Sequence, residues 1–166
     1  MKKIFTLLAL TISFSINAQV STIGTTASGS VSTAMGNGTT ASGTAATAMG
    51  DGTTASGNRS TAMGDMTTAS GYYSTAMGRS TTASGDYSTA MGYGTTASDF
   101  ASTVIGQYNS SGSSVNSAWS FSTSNTAFVI GNGTASNARS DAFKVMFNGD
   151  ATVSNDLTVS GDVVIS

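Results

Sequence analysis

The sequence predicts an all-β fold, a solenoid of about six stacked coils of fourteen residues each, and three observations carry that reading. Five consecutive fourteen-residue copies run from Ser32 to Ala101, the first STAMGNGTTASGTA and the last STAMGYGTTASDFA, with little variation outside fixed positions. Glycine recurs at two phases seven residues apart, as Gly36, Gly50, Gly64, Gly78, Gly92 and Gly106 and as Gly29, Gly43, Gly57, Gly71 and Gly85. Between glycines stand short runs of Ser, Thr, Ala and Met. Such runs suit brief strands, because threonine is β-branched and glycine supplies the backbone angles of tight corners.

A seven-residue spacing also invites a coiled coil, which needs large apolar residues at two heptad positions with charges beside them. The half-units offer threonine, serine, alanine and glycine instead. Two glycines in every fourteen residues would each cost a helix interior roughly 1 kcal/mol, with no glutamate and almost no lysine to offset it. Each repeat therefore reads as one coil with two strands and two turns. Coils stacked about 4.8 Å apart align like residues into ladders, so the glycines from Gly36 to Gly106 span about 24 Å.

Residues 1–18 stand apart from the rod. Lys2 and Lys3 precede an apolar run from Ile4 to Phe14, followed by Ser15, Ile16, Asn17 and Ala18, the three zones of a secretory signal peptide cleaved after Ala18. The run is too short for a bilayer crossing, which takes about 20 residues, and with no cysteine a lipid anchor is excluded. Beyond Ala18 the chain carries eight aspartates against four basic residues, Arg59, Arg79, Arg139 and Lys144. An acidic balance of this kind argues against nucleic acid and anionic membrane partners, and no membrane span is expected after signal removal.

The solenoid is expected over residues 19–106. Its largest recurring side chains are Met35, Met49, Met63, Met77 and Met91, with Ile105 continuing their phase. Strand alternation puts each methionine on one face with the threonine two residues before it, and turns Ala34, Ala48, Ala62, Ala76 and Ala90 to the other. Alanine fits a narrow coil interior. The methionine ladder packs either within the chain or between chains, and a coil with so little apolar volume favours homo-oligomerisation.

The repeat (S/T)-T-A-M-G-x-x-T-T-A-S-G-x-x resembles the S-V-A-I-G-x-x-S-x-A-x-G motif of the head domains of YadA-like trimeric autotransporter adhesins, built from Hep/Hag-type repeats, over about Thr25 to Gly106. The resemblance implies a left-handed parallel β-roll with one coil per repeat, a homotrimer, and a secreted or cell-surface location associated with an outer membrane. Threonine stands where that family often has valine, and methionine where it has isoleucine. No segment resembles the family's coiled-coil stalk or its membrane anchor.

Two dipeptides per coil escape the repeat. The first reads Asn37-Gly38, Asp51-Gly52, Asp65-Met66, Arg79-Ser80, Tyr93-Gly94 and Gln107-Tyr108, and the second Thr44-Ala45, Asn58-Arg59, Tyr72-Tyr73, Asp86-Tyr87 and Phe100-Ala101. Every tyrosine of the chain falls there. Function on a repeat scaffold lives at such free positions, which makes Arg59, Tyr72, Tyr73, Tyr87 and Tyr93 the candidate contacts for a host protein or glycan. The ladder rule places Tyr73 beside Tyr87 with Arg59 one coil earlier, and Asp65 beside Arg79. The bland alternative is that these side chains only cover turn backbone. Asp51 and Asp65 form a like-charged pair, too poor in oxygen ligands for a metal, and no cofactor is expected.

Asp99 replaces the glycine of its phase, which places the end of the solenoid near Gly106, and the Ser/Asn-rich stretch 107–126 reads as a connector with Trp119 and Phe121 as docking points. In 127–166, the alternating runs Phe128 to Ile130 and Ala142 to Phe147 suggest a hairpin. ATVSND, LTVSGD and VVIS then follow at a period of six, resembling the start of a trimeric fibre shaft. The chain stops inside its third hexad, which points to a fragment of a longer fibre.

An enzyme is not expected. Histidine, cysteine and glutamate are absent, so neither a nucleophilic triad nor an acid–base pair can be assembled. The expected function is a surface-exposed structural or adhesive protein attaching to host or surface ligands. A purely structural fibre segment is one alternative. The other is ice binding through two hydroxyl ranks, in which Thr40 with Ser42 recurs as Thr54 with Ser56, Thr68 with Ser70, Thr82 with Ser84 and Thr96 with Ser98.

Overall fold

The computed structural model describes residues 18–110 and 117–160. The expected signal peptide, apart from Ala18, and the third hexad lie outside the described residues. In chain order the solenoid runs β1 (Ala18–Ile23) and β2 (Thr26–Ala27), β3 (Thr33–Asn37) and β4 (Thr40–Ala41), β5 (Thr47–Asp51) and β6 (Thr54–Ala55), β7 (Thr61–Asp65) and β8 (Thr68–Ala69), β9 (Thr75–Arg79) and β10 (Thr82–Ala83), β11 (Thr89–Tyr93) and β12 (Thr96–Ala97), then β13 (Thr103–Gln107). After it come β14 (Thr126–Asn132), β15 (Asp141–Met146) and β16 (Ala151–Val153). No helix occurs among the described residues, so none there is long and apolar enough to cross a membrane, which says nothing of a β-barrel.

Each coil contributes a long and a short strand to two parallel sheets, and the register is the repeat itself: Thr47 faces Thr61, Ala48 faces Ala62, Met49 faces Met63. The corners are bonded from coil to coil as well. Thr54 N–H donates to Thr67 O at 2.8 Å along the short sheet, while the corner amides of Arg59 and Met66 donate back to Thr44 O and Asp51 O, each at 2.8 Å. A corner glycine is required where coils touch. A Cβ on Gly64, whose φ is +121°, would lie 2.0 Å from the Gly78 carbonyl oxygen.

Alanine fills the interior, as the alternation requires. Ala34, Ala48, Ala62, Ala76 and Ala90 on the long sheet and Ala41, Ala55, Ala69, Ala83 and Ala97 on the short one are fully buried. Between them run Thr39, Thr53, Thr67, Thr81 and Thr95, equally buried, whose Oγ1 atoms have no hydrogen-bond partner. The methionines turn outward and stay half-buried. Each coil thus hides little apolar volume of its own, and the ladder of backbone hydrogen bonds supplies most of its internal cohesion.

The solenoid of repeats spans residues 26–107, in line with the expected end near Gly106, and a strand from beyond it then caps the rod. The short sheet ends at β12, but the long sheet gains a further rung, because β14 lies parallel to β13 with Ile105 facing Ile130 and Gly106 facing Gly131. Val129 continues the alanine column above Val104, both fully buried. Two departures from the repeat close the short sheet. Asn109 takes the phase of the interior threonines, and its side-chain amide imitates a missing rung: Oδ1 accepts from Thr96 N–H at 2.8 Å and Nδ2 donates to Thr96 O at 2.9 Å. Asp99 stands at the glycine phase, and its buried carboxylate accepts from Thr126 N–H at 2.8 Å.

β15 pairs antiparallel with β14, and β16 antiparallel with β15. The first hexad therefore begins as a hairpin strand, and the described residues of the second, 157–160, leave Leu157 and Val159 exposed with no strand formed. In the connector, Ser117 O and Ala118 O accept from Phe100 and Asp86 N–H at 2.7 and 2.8 Å, covering the last corner. Phe121 packs edge-on to Phe147 with ring centroids 5.2 Å apart, whereas Trp119 points to solvent.

Candidate functional site

The second variable dipeptide builds one continuous side-chain stack along the rod. Its latter residue sits in the left-handed region in each coil, with φ of 57° at Arg59, 56° at Tyr73 and 59° at Tyr87, which throws these side chains away from the coil. Tyr73 and Tyr87 stack with ring centroids 5.3 Å apart and planes 14° from parallel. The Arg59 guanidinium lies over Tyr73 at 5.3 Å and over Tyr72 at 5.6 Å, and its Nη1 donates to the Tyr72 hydroxyl. Tyr72 meets Tyr73 edge-on at 4.4 Å, and Phe100 extends the stack beyond Tyr87 at 5.3 Å. The Tyr72 phenol is pushed above its ordinary value, chiefly by the neighbouring Tyr73 hydroxyl and then by loss of surrounding water, against the pull of the Arg59 charge.

The former residue of the same dipeptide supports the corner. Asn58 Oδ1 accepts from Thr44 N–H at 3.0 Å, and Asp86 Oδ1 accepts from Tyr72 N–H at 2.8 Å. These polar side chains reach back one coil to backbone that would otherwise be unsatisfied.

Tyr93 is not part of this stack. It belongs to the first dipeptide, where Asn37 donates to Asp51 at 2.8 Å, Asp65 pairs with Arg79 at 3.0 Å, and Arg79 lies 5.5 Å over the Tyr93 ring. Tyr93 then meets Tyr108 at 4.9 Å, and Arg139 covers Tyr108 at 5.8 Å. The Tyr108 phenol is raised, first by the Tyr93 hydroxyl and then by loss of water. Asp51 and Asp65 each turn to a different partner, one to Asn37 and one to Arg79, so they do not converge on a cation.

Sequence reasoning placed Arg59, Tyr72, Tyr73 and Tyr87 in free slots and missed Phe100 as the continuation of their stack. The ladder rule aligns Phe100 with Asp86 rather than Tyr87, so only the diagonal neighbour on the next coil gave a signal for this contact. Met35, Met49, Met63, Met77, Met91 and Ile105 form one outward column beside Thr33, Thr47, Thr61, Thr75, Thr89 and Thr103. On the short sheet the Thr40, Thr54, Thr68, Thr82 and Thr96 rank is half-buried, and the serine rank runs from exposed at Ser42 to buried at Ser98. A uniform flat hydroxyl surface does not result.

A rod of identical rungs, whose variable side chains form stripes along its corners, defines a repeat-built β-solenoid of the surface-structural kind. The chain belongs to the YadA head domain repeat family, which matches residues 27–53, 41–65, 55–81, 69–95 and 83–109. That family is one of adhesin-type surface structural domains rather than enzymes. Comparison with individual curated proteins gives no match.

Proposed function

We propose that this chain is the head segment of a homotrimeric adhesin, exported to the cell surface, and that it attaches to host protein or glycan through the stack of Arg59, Tyr72, Tyr73, Tyr87 and Phe100. The observation that carries the reading is the stack itself. Tyr73 and Tyr87 remain 43% and 50% exposed although they touch each other, so part of each ring stays open to a ligand. Flat, pre-ordered aromatic side chains lose little conformational freedom on binding, and Arg59 fixes Tyr72 and Tyr73 from the side.

The outward methionine column supports the trimer. Six half-buried apolar rungs in a straight line offer a face that a second and third copy can cover, and the thin alanine interior leaves each coil in need of that burial. Met35, Met49, Met63, Met77, Met91 and Ile105 are the residues assigned to this contact.

Two measurements test the reading. Native mass of residues 19–166 is expected to give three chains, and a monomer would remove the assembly. Binding of the assembled protein to glycan and matrix-protein arrays is expected to fall when Tyr72, Tyr73 and Tyr87 are all changed to serine. Unchanged binding would clear the stack of the role.

A further inference from the structure

We propose that the C-terminal module holds a second ligand site, separate from the aromatic stack, which binds an acidic saccharide, a carboxylate carried on a hydroxylated ring. A cavity of about 470 Å³ opens between the end of the solenoid and the β15–β16 pair, lined by Asn132, Arg139, Asp141, Lys144, Thr152 and Asn155 among others. Its volume lies in the range of small organic ligand sites and is well beyond the share of a few water molecules.

Charge is what distinguishes the site. Arg59 is held by Tyr72, Arg79 by Asp65, and Arg139 donates through Nη1 to Gly94 O and Asn109 O at 2.9 and 3.2 Å. Lys144 is the one cation among the described residues with neither an ion pair nor a hydrogen bond, yet it is half-buried on β15 opposite Thr152. The carboxylate in the cavity, Asp141, is already occupied, since its Oδ1 accepts from Ser110 N–H at 2.7 Å. Two cations, Arg139 and Lys144, thus stand against the single carboxylate of Asp141 in the lining, which leaves the space with an excess of positive charge in an otherwise acidic chain. A partly desolvated ammonium gains most from a charge-assisted hydrogen bond to a carboxylate.

The rest of the lining selects what carries that carboxylate. Thr152 and Asn155 supply a hydroxyl and an amide, the Ser140 and Ser154 hydroxyls donate to Asn132 Oδ1 and Asp141 O and keep lone pairs for a sugar hydroxyl, and no aromatic ring stands among the lining residues. Such a lining matches the hydroxyls of a sugar ring and offers little to an apolar acid.

The probes are a glucuronic acid disaccharide, its neutral methyl ester and inorganic sulfate, titrated into the whole assembled protein and followed by amide chemical shifts. The acidic disaccharide is expected to shift Lys144, Thr152 and Asn155, with the ester weaker by about tenfold or more and Lys144→Gln weaker to a similar degree. Equal binding of acid and ester, or of wild type and Lys144→Gln, would overturn the proposal. Sulfate matching the disaccharide in affinity would overturn the saccharide assignment and leave a simple anion site. Should Lys144→Gln fail to fold, Asn155→Ala in the exposed segment after β16 decides the matter, because full retention of disaccharide affinity there removes the site.

Discussion

Replacing Gly64 by alanine probes the packing of coil on coil at its tightest point. The new Cβ would sit 2.0 Å from Gly78 O, 2.9 Å from Gly78 C and 3.1 Å from Gly78 N, all backbone atoms of the next rung, at a φ of +121°. Holding an alanine at that angle costs about 1–3 kcal/mol. Relieving the overlap must separate the two rungs, and each hydrogen bond lost between them costs about 1 kcal/mol. With one or two bonds broken the sum is about 3–5 kcal/mol, a large share of the roughly 5–15 kcal/mol that holds a domain folded. Gly52→Ala is the matched control. Its φ is +59° and the nearest atom to a Cβ is Met66 Cγ at 3.7 Å, so it meets only the left-handed penalty of about 1–2 kcal/mol. Urea midpoints at equal protein concentration should order wild type, Gly52→Ala and Gly64→Ala by falling stability, and hydrogen exchange should accelerate between β7 and β9 only in the last. Two variants of equal stability would refute the account of why glycine recurs at this phase.

Ser80 occupies the left-handed corner at φ 53° where Gly38, Gly52 and Gly94 stand in other coils, so Ser80→Gly should stabilise the rod by about 0.5–1 kcal/mol after the extra chain entropy of glycine is counted, read from denaturation midpoints. Thr53→Val together with Thr67→Val removes two buried hydroxyls without partners and should raise stability by about 1 kcal/mol for each, checked by thermal melting; a loss would mean that these hydroxyls are satisfied. Asn109→Ala deletes both bonds to Thr96 and should speed amide exchange at Thr96 while leaving β5 to β7 protected. Tyr72 and Tyr108 should titrate above the ordinary tyrosine value in an ultraviolet pH titration. Because folding favours their neutral phenols, the stability they lend is full below the ordinary tyrosine value and lost as pH rises through their raised ones.

The repeating parts were legible because each coil meets the same surroundings. Glycine phase gave the corners, and the two-residue alternation sent Ala48 inward and Met49 outward. The ladder rule by itself joins Arg59, Tyr73 and Tyr87. The same rule separates Tyr93, fourteen residues after Arg79, from that stack.

The sequence by itself determined the rung, its strands, its corners and the columns of like side chains, since a short period encodes local geometry and nearest-neighbour contact together. Tertiary structure alone decided how the rod ends. Asp99 binding Thr126, Asn109 standing in for a strand, and Phe128 to Asn132 returning as a further rung all join residues that no period relates. The cavity around Lys144 depends on those same long-range closures, because its walls come from segments that only the folded chain end brings together.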